Sequence, residues 1–550
     1  MIDILSFIGF TVLVALVAYL ATRKTDESSA DGFYLGGRSL TAVTIAGSLL
    51  LTNLSTEQIV GLNGQAFEEG VLVMAWETLA AIAMVVTAIF LLPKYLKNGL
   101  TTIPQFVEDR FDRTTKTFIT ILFLSGYVIV LLPSILYSGS LALSTIFDIP
   151  GMLGISKNLA LWVTVWSIGS IGMVYAIFGG LKAVAVSDLI NAIGLLIGGL
   201  MIPFFGLYMI GDSSIANGIS LIADEYPEKL DARGGTTSSI PFGTIFTGMM
   251  LVQLFYWGTN QAIVQRVFAA KNVKEGQKGL LLAAFIKILG PLIVVLPGII
   301  AFHVFQGELA KPDEAYPALV QKVLPASLVG FFAAVLFGAI LSSFNSALNS
   351  AATLFGFDLY KQYIKKGASE KQSVNAGKLF GIFLALLGMT IAPFIQYAPD
   401  GLFSWLQEAN GCYSIPILSI IVIGYFTKFV PAIAAKVGLI SGVFLYSISQ
   451  FVLKPILVSD ALSQAAANGI TNEVELELIE AKAYPHFLHV MAILFVINMS
   501  IMLLIGRFYP QYKAFKIVDS KMVNIDKWKY ASMVGVLIVG IVISTYLFFS

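Results

Sequence analysis

Four ionisable side chains stand where hydrocarbon should surround them: Glu57, Glu77, Lys287 and Glu408. A charged residue at the centre of a membrane helix costs about 2.5–3.5 kcal/mol on insertion scales, so such residues persist mainly in permeation paths or buried pairs. Glu77 (in AWETLA) and Lys287 (in AFIKILG) could form a structural ion pair, or the lysine could snorkel. Lys287 lies about eight residues into its apolar stretch, near the snorkelling limit, and function is the better reading. For Glu57 and Glu408, function and simple bracing of interrupted helices stand level. Around them fall neutral amides, Asn53, Gln58, Gln253, Asn260, Gln261 and Gln407. An amide donates and accepts at once, as a sugar hydroxyl does. One glutamate to accept and one lysine to donate would hold opposite ends of a hydroxylated ring. Trp76 and Tyr256 offer flat apolar faces for the C–H face of a pyranose, with core or lipid packing an equal alternative. No arginine is placed in mid-span, which disfavours a carboxylate substrate, although an exposed helix N-terminus could still receive one.

A second group could hold a cation. The stretch AILSSFNSALNS, Ala339 to Ser350, supplies the hydroxyls of Ser342 and Ser343 and, if the helix loosens, the carbonyl of Ala339. Hard cations choose oxygen ligands, and the same logic extends to Na+. On the residues alone, small side chains at a close helix contact, with serines bonded back to their own helix, are the stronger reading. Catalytic sets are missing from the pattern: there is no P-loop, HExxH or GxSxG, so an enzyme is not expected. His303, His486 and His489 lie near span ends without zinc spacing, and the single cysteine, Cys412, permits neither an internal disulfide nor a cysteine-based metal cluster. The sequon Asn53-Leu54-Ser55 sits inside a span, and the Gly194/Gly198 pair is a common membrane-helix motif.

The elements that must position these groups are membrane helices. Of 550 residues, 57% are hydrophobic and 12% charged, against about 25% charged in soluble chains. The net charge of +1 predicts no nucleic-acid partner. Fourteen apolar spans are expected, from 2–22 to 528–549, with long ones at 116–146 and 328–362 and polar loops at 212–240 and 454–483. The first reads as a retained helix, lacking a basic n-region and an A-x-A cleavage site. With the N-terminus outside, 26 of the 34 basic residues fall in inner loops, among them Arg23, Lys24, Lys94, Lys97, Arg110, Arg113, Arg266, Lys271, Lys365, Lys366 and Lys513. Seven fall outside and Lys287 is left within a span. An even count therefore places both termini on the extracellular or periplasmic face of a plasma (inner) membrane. Two spans are interrupted by polar residues: the second, at TNLSTEQIVGLNGQ (Thr52 to Gln65), and the seventh, at QLFYWGTNQAIVQR (Gln253 to Arg266). They are five spans apart and inverted, the pattern of a transporter whose two broken helices meet near the midplane. Polar, non-helical backbone at that depth is tolerated only where it lines a cavity or is buried in protein.

These stretches, with GGLKAVAVSDLINAIGLLIGGL, YWGTNQAIVQRVFAAKNVKEGQKGLLLAAFIK and ILSSFNSALNSAATLFGFDLYK, resemble the sodium/solute symporter family over nearly the whole chain, and in particular its bacterial sodium/galactose and glucose-type members. The resemblance implies an all-α, LeuT-like five-plus-five core over 41–427 (repeats of about 41–211 and 241–427), preceded by one helix (1–22) and followed by three (430–550). It implies Na+ as the co-transported ion and a neutral sugar as substrate. Carried over by position, sugar contacts fall on Asn53, Gln58, Glu77, Lys287 and Gln407, and gate positions on Leu62 and Tyr256. Sodium ligands fall on the carbonyls of Leu51, Leu54 and Ala339 and the hydroxyls of Ser342 and Ser343, and an acid on the sodium exit path on Asp188. The chain departs from the pattern at three pocket positions: Gln253 replaces an asparagine, Trp76 a tyrosine and Ala80 a serine. Asn345 replaces a serine that some relatives use in a second sodium site, so one Na+ per cycle is expected. Proline, pantothenate or myo-inositol on the same scaffold, or a sugar-gated sensor or channel, are the rival readings.

Overall fold

The computed structural model describes the chain apart from Met1 and residues 23–29, 179, 307, 310, 398–400, 512–514 and 516–518. Arg23, Lys24 and Lys513, three of the residues used for orientation, lie outside the described residues. Among the described residues the regular structure is helical, with only isolated bridges, Leu40 to Ala270 and Asn272 to Asn524. The elements that matter below are α1 (Ile2–Thr22), α2 (Ala42–Asn53), α3 (Thr56–Glu69), α4 (Ala75–Val86), α5 (Arg113–Ile146), α6 (Lys157–Phe178) and α7 (Leu181–Ile210). They continue as α8 (Gly248–Thr259), α9 (Gln261–Phe268), α10 (Val273–Lys287), α11 (Leu296–Phe305), α12 (Ala326–Thr353), α13 (Glu370–Ile391) and α14 (Gly401–Phe426). The last are α15 (Ala432–Ile448), α16 (Phe487–Phe508) and α17 (Ala531–Phe548).

Each of the fourteen apolar stretches is largely helical. Ten helices among the described residues are long and apolar enough to cross a membrane, or eleven with the bent pair Val273–Lys287 and Pro291–Phe305 taken as one. Length and apolarity therefore support ten or eleven crossings, and do not by themselves establish fourteen. The outer surface is apolar, as a lipid-facing surface must be. On α7, for example, Ile193, Ile197, Leu200 and Phe204 are exposed at helical spacing. The opposite side of α7 is small, and Gly194 and Gly198 seat Val335 and Phe332 of α12. The GxxxG pair is thus a packing face against the helix that carries the candidate sodium ligands.

Both polar stretches break their helices, over a shorter distance than their length suggests. The interruption of the second span is confined to Leu54 (φ −75°, ψ 53°) and Ser55 (φ −83°, ψ 177°), between α2 and α3. That of the seventh is Asn260 (φ −67°, ψ 122°), between α8 and α9. Asn260 caps α9 by accepting from the Ala262 N–H at 3.0 Å. α3 ends at Gly70, whose φ of 76° and whose closeness to the Lys229 carbonyl leave no room for a Cβ. The expected loops at 212–240 and 454–483 are partly helical (Ile215–Glu225, Lys454–Ala467 and Glu473–Ala483). Two of these helices are capped by Ser214 and Asn472, signals that composition alone reads as loop.

Candidate substrate and ion site

A helix break leaves main-chain groups without intrahelical partners, and the two breaks gather polar side chains about them. Lys287 ends α10, where the eighth span bends by 46°. Its ammonium donates to Asn53 Oδ1, at the end of α2, and to Glu77 Oε2 of α4 at 2.5 Å. Lys287 and Glu77 are each 1% exposed and Asn53 is 5% exposed. Gly290, next to the bend, lies against Glu77, where a Cβ would come within 2.3 Å of Oε2. The Lys287 ammonium also lies 5.7 Å from the Trp257 ring.

Gln253 donates from Nε2 to the Trp76 carbonyl at 2.8 Å, tying α8 to α4. The Trp76 indole meets Phe403 of α14 edge to face at 5.1 Å, and its N–H has no partner. Gln58, half-buried in the first turn of α3, and Gln407, buried one turn past Phe403, make no side-chain hydrogen bond among the described residues. Their amides are uncommitted. Tyr256 is half-buried beside Asn53. Leu62 is fully buried on α3. Glu57 is buried with Oε2 unpartnered. Glu408 is drawn away by Lys454 at 3.0 Å, which is the bracing alternative rather than a place among the site residues. Trp257, which with Tyr256 flanks the second polar break in the sequence, lies beside the Lys287 ammonium, whereas Tyr127 is not marked by the sequence. Tyr127 Oη donates to Asn260 Oδ1 (3.4 Å) and accepts from the Ala262 N–H (3.0 Å), so it holds the second break, and nothing in its apolar surroundings marks it.

Of the candidate cation ligands, Ser343 touches the end of α2 directly. Ser343 Oγ donates to the Thr52 carbonyl at 3.1 Å, which leaves the hydroxyl lone pairs free to accept or ligate. Ser342 Oγ makes no close hydrogen bond among the described residues, but faces the Asp188 carboxylate. Ala339 is buried one turn before, and Leu51 and Leu54 flank the point where α2 loses its helical bonds. Asp188 of α7 accepts from Ser48 Oγ at 2.5 Å and lies beside Ser342.

Arg266 needs a correction. The sequence places it in an inner loop, with no arginine in the interior. The structure buries it completely on α9, with its Nη2 at 3.6 Å from Asp188 Oδ2. Its Nε donates to Ser48 Oγ (2.7 Å), Nη1 to the Ala262 carbonyl (2.5 Å) and Nη2 to Ser346 Oγ. Each edge of the guanidinium is thereby engaged, so its burial does not restore a carboxylate receptor.

A family model described as "Sodium:solute symporter family" matches residues 33–442. The chain is 45% identical over 544 residues to the "Uncharacterized symporter YidK" of Escherichia coli (strain K12), covering 99% of this chain and 90% of that one. It is 34% identical over 467 residues to the "Sodium/glucose cotransporter" of Vibrio parahaemolyticus, covering 80% and 84%. Among solved structures, a Na+-coupled sialic acid symporter in its substrate-bound outward-open state superposes with a TM-score of 0.71 at 19% identity, over 93% of this chain and 99% of that one. At that identity the likeness concerns the fold, which is LeuT-like. With broken helices, a buried lysine–glutamate pair and hydroxyls gathered at one break, the chain belongs to the sodium:solute symporter family, whose members are multi-pass membrane transporters that use Na+ as the co-transported ion.

Proposed function

We propose that this symporter couples inward Na+ movement to uptake of a neutral hexose, galactose- or glucose-like, by alternating access in the plasma membrane. The observation that carries the substrate class is the buried Lys287, bonded at once to Asn53 at the helix break and to Glu77; the amides of Gln58 and Gln407 would complete the set. One fixed donor, one fixed acceptor and ambidextrous amides suit hydroxyls better than a carboxylate. The name of the Vibrio relative lends support. The transport core is 41–427, with repeats at about 41–211 and 241–427, one helix before and three after. Both termini face outward, and fourteen crossings fit that orientation.

In this mechanism Na+ binds between α2 and α12 through the carbonyls of Leu51, Leu54 and Ala339 and the hydroxyls of Ser342 and Ser343. It fixes the Leu54–Ser55 break in the shape that presents Asn53 and Gln58. Sugar then binds among Asn53, Gln58, Trp76, Glu77, Gln253, Lys287 and Gln407. The core rocks, Leu62 and Tyr256 gate the two sides, and Na+ leaves past Asp188. Linkage makes the coupling reciprocal: sodium must prefer the sugar-competent state, and sugar then strengthens sodium binding by the same factor. One charge crossing 100 mV supplies about 2.3 kcal/mol and a tenfold sodium gradient about 1.4, enough for roughly 500-fold accumulation with a single ion.

The deciding experiment is uptake of a panel of radiolabelled hexoses, with myo-inositol, proline and pantothenate as competitors, into proteoliposomes with and without a sodium gradient. Accumulation of a hexose that needs the gradient is expected. Accumulation of only a non-sugar solute, or equilibration without accumulation, would replace this reading. Gln58→Ala should raise the sugar KM at least tenfold with normal folding, since its amide makes no protein bond whose loss could unfold the chain; binding of labelled sugar to purified protein checks it. Ser343→Ala should raise the sodium concentration for half-maximal uptake about five- to tenfold, one ligand's worth at about 1–1.4 kcal/mol. An unchanged sodium curve would remove Ser343 from the ion site.

A further inference from the structure

The eighth span is irregular twice. After the 46° bend behind Lys287, a short helix, Pro291–Val294, ends at Val295 (φ −126°, ψ −55°), and α11 begins at Leu296. Pro297 has no N–H, so the Ile293 carbonyl loses the donor that a continuous helix would give it. Pro291 deprives the Lys287 carbonyl in the same way, but that carbonyl accepts locally, from the Gly290 N–H at 2.9 Å. The second kink is satisfied from another helix. Asn63 of α3 donates from Nδ2 to the Ile293 carbonyl at 3.3 Å and accepts at Oδ1 from the Gly298 N–H at 2.8 Å. Its other amide hydrogen goes to the Ile59 carbonyl of its own helix at 2.7 Å. Asn63 is 0% exposed. Gly298 lets the two main chains touch, since a Cβ there would overlap the Asn63 carbonyl.

The bond completes a pairing of half-helices. Lys287, at the end of α10, holds Asn53 at the end of α2. Beyond the Leu54–Ser55 break in one span and beyond the bend in the other, Asn63 holds α11 to α3. Each half of the second span is thus tied to one half of the eighth. Gln58 stands on α3 five residues before Asn63, about 7.5 Å along the helix axis, and its side chain makes no hydrogen bond among the described residues. Where its amide lies relative to the Lys287 ammonium is therefore set by where α3 lies. Asn63 fixes α3 against the segment that follows Lys287.

We propose that Asn63 is a positioning residue for solute recognition: it clamps α3 to the kink at Val295–Pro297, so that the Gln58 amide and the Lys287 ammonium close on the solute as one unit. The proposal rests on the sodium-driven solute uptake read above and adds to it a residue that touches neither solute nor ion. A side chain that satisfies a kink is also a cap, and caps serve stability. The two roles differ in what their loss does. A lost cap reduces the amount of folded protein, whereas a lost clamp leaves folded protein whose two recognition groups are out of register.

Asn63→Leu keeps the volume and removes the tie. Initial rates of sodium-driven uptake into proteoliposomes give KM and Vmax for labelled galactose or, should the parent accumulate only one of the competitors named above, for that compound. A KM raised at least tenfold is expected, with Vmax per folded transporter and the half-saturating sodium concentration within twofold of the parent. A KM within twofold, with uptake reduced only in proportion to folded protein, overturns the proposal. Because the effect passes through Gln58, adding Asn63→Leu to Gln58→Ala should raise KM by no more than a further twofold; a multiplied effect overturns it. Should Asn63→Leu fail to fold, Asn63→Asp is read instead, since it keeps the acceptor for the Gly298 N–H and loses only the donor to Ile293. It should raise KM at least threefold, and a parental KM overturns the clamp. Uptake of a competitor but not of galactose overturns the hexose reading while the KM ratio still decides the clamp. A parent that accumulates none of these compounds has no solute site for Asn63 to serve, and the proposal falls with the symport reading.

Discussion

Lys287→Ala lowers sodium-driven uptake at least a hundredfold. The lysine is the only cation bonded to Glu77 among the described residues, and it also holds the Asn53 amide at the helix break. Without it the Glu77 carboxylate is left 1% exposed and unpaired. Breaking a buried pair on one side costs about 3–5 kcal/mol, so part of the lost uptake would come from lost protein. The control is Glu77→Gln/Lys287→Met, which removes both charges and keeps the volume. Exchanging a whole buried pair for uncharged groups is often neutral for stability. The double variant should therefore recover the parent's thermal stability while uptake stays abolished, because a substrate hydroxyl finds neither the fixed donor nor the fixed acceptor. Initial-rate uptake and thermal unfolding of each variant in detergent separate the two effects. Uptake by the double variant above a tenth of the parental rate would show that the pair is structural and that sugar binds elsewhere.

The polar run Thr52–Gln65 shows plainly that the second span is interrupted, because hydrocarbon cannot satisfy so many donors and acceptors. It does not show how little backbone is involved. Two residues, Leu54 and Ser55, suffice, and the remaining polar side chains project from regular helix. Lys287 is legible as an anomaly for the same energetic reason. Its position at the end of α10 is not, since Gly290 and Pro291 sit in an unbroken apolar run and only their three-dimensional setting makes them a bend. Pairings across the chain are the least legible. Arg266 lies one residue before the expected end of its span and reads as an ordinary inner-loop cation, because Ser48, Asp188 and Ser346, which engage it, come from three other helices. Tyr127 carries no signal at all: an aromatic in an apolar helix looks the same whether it braces a break or fills a core, and only adjacency to a polar run, as for Trp257, sets one apart. The assignment of particular hydroxyls and carbonyls to Na+ came from family resemblance. On the residues alone, Ser342 and Ser343 are better explained by packing, and Ser343 does lie at a close contact between α12 and the end of α2.

Arg266→Met should lower thermal stability by more than any other single change away from the sugar pair. The guanidinium joins α9 to Asp188 on α7, Ser48 on α2 and Ser346 on α12, so four helices lose a common tie. Asp188 is left with one bond, from Ser48, and an uncompensated buried charge, at a cost of about 3–5 kcal/mol. The single cysteine, Cys412, is partly buried on α14, and its reaction with a thiol-sensitive dye on heating reports unfolding without any added label. Asp188→Asn/Arg266→Met should regain most of the lost stability, since neither charge is then stranded. Sodium handling should not recover with it. Asp188 lies beside Ser342, and in the proposed mechanism it receives Na+ as the ion leaves Ser342 and Ser343. In the double variant that receptor is neutral, and the half-time of 22Na+ release should lengthen about tenfold while external sodium still activates at the parental concentration. If release instead kept the parental half-time in a fully stable double variant, Asp188 would be a structural partner of Arg266 and nothing more.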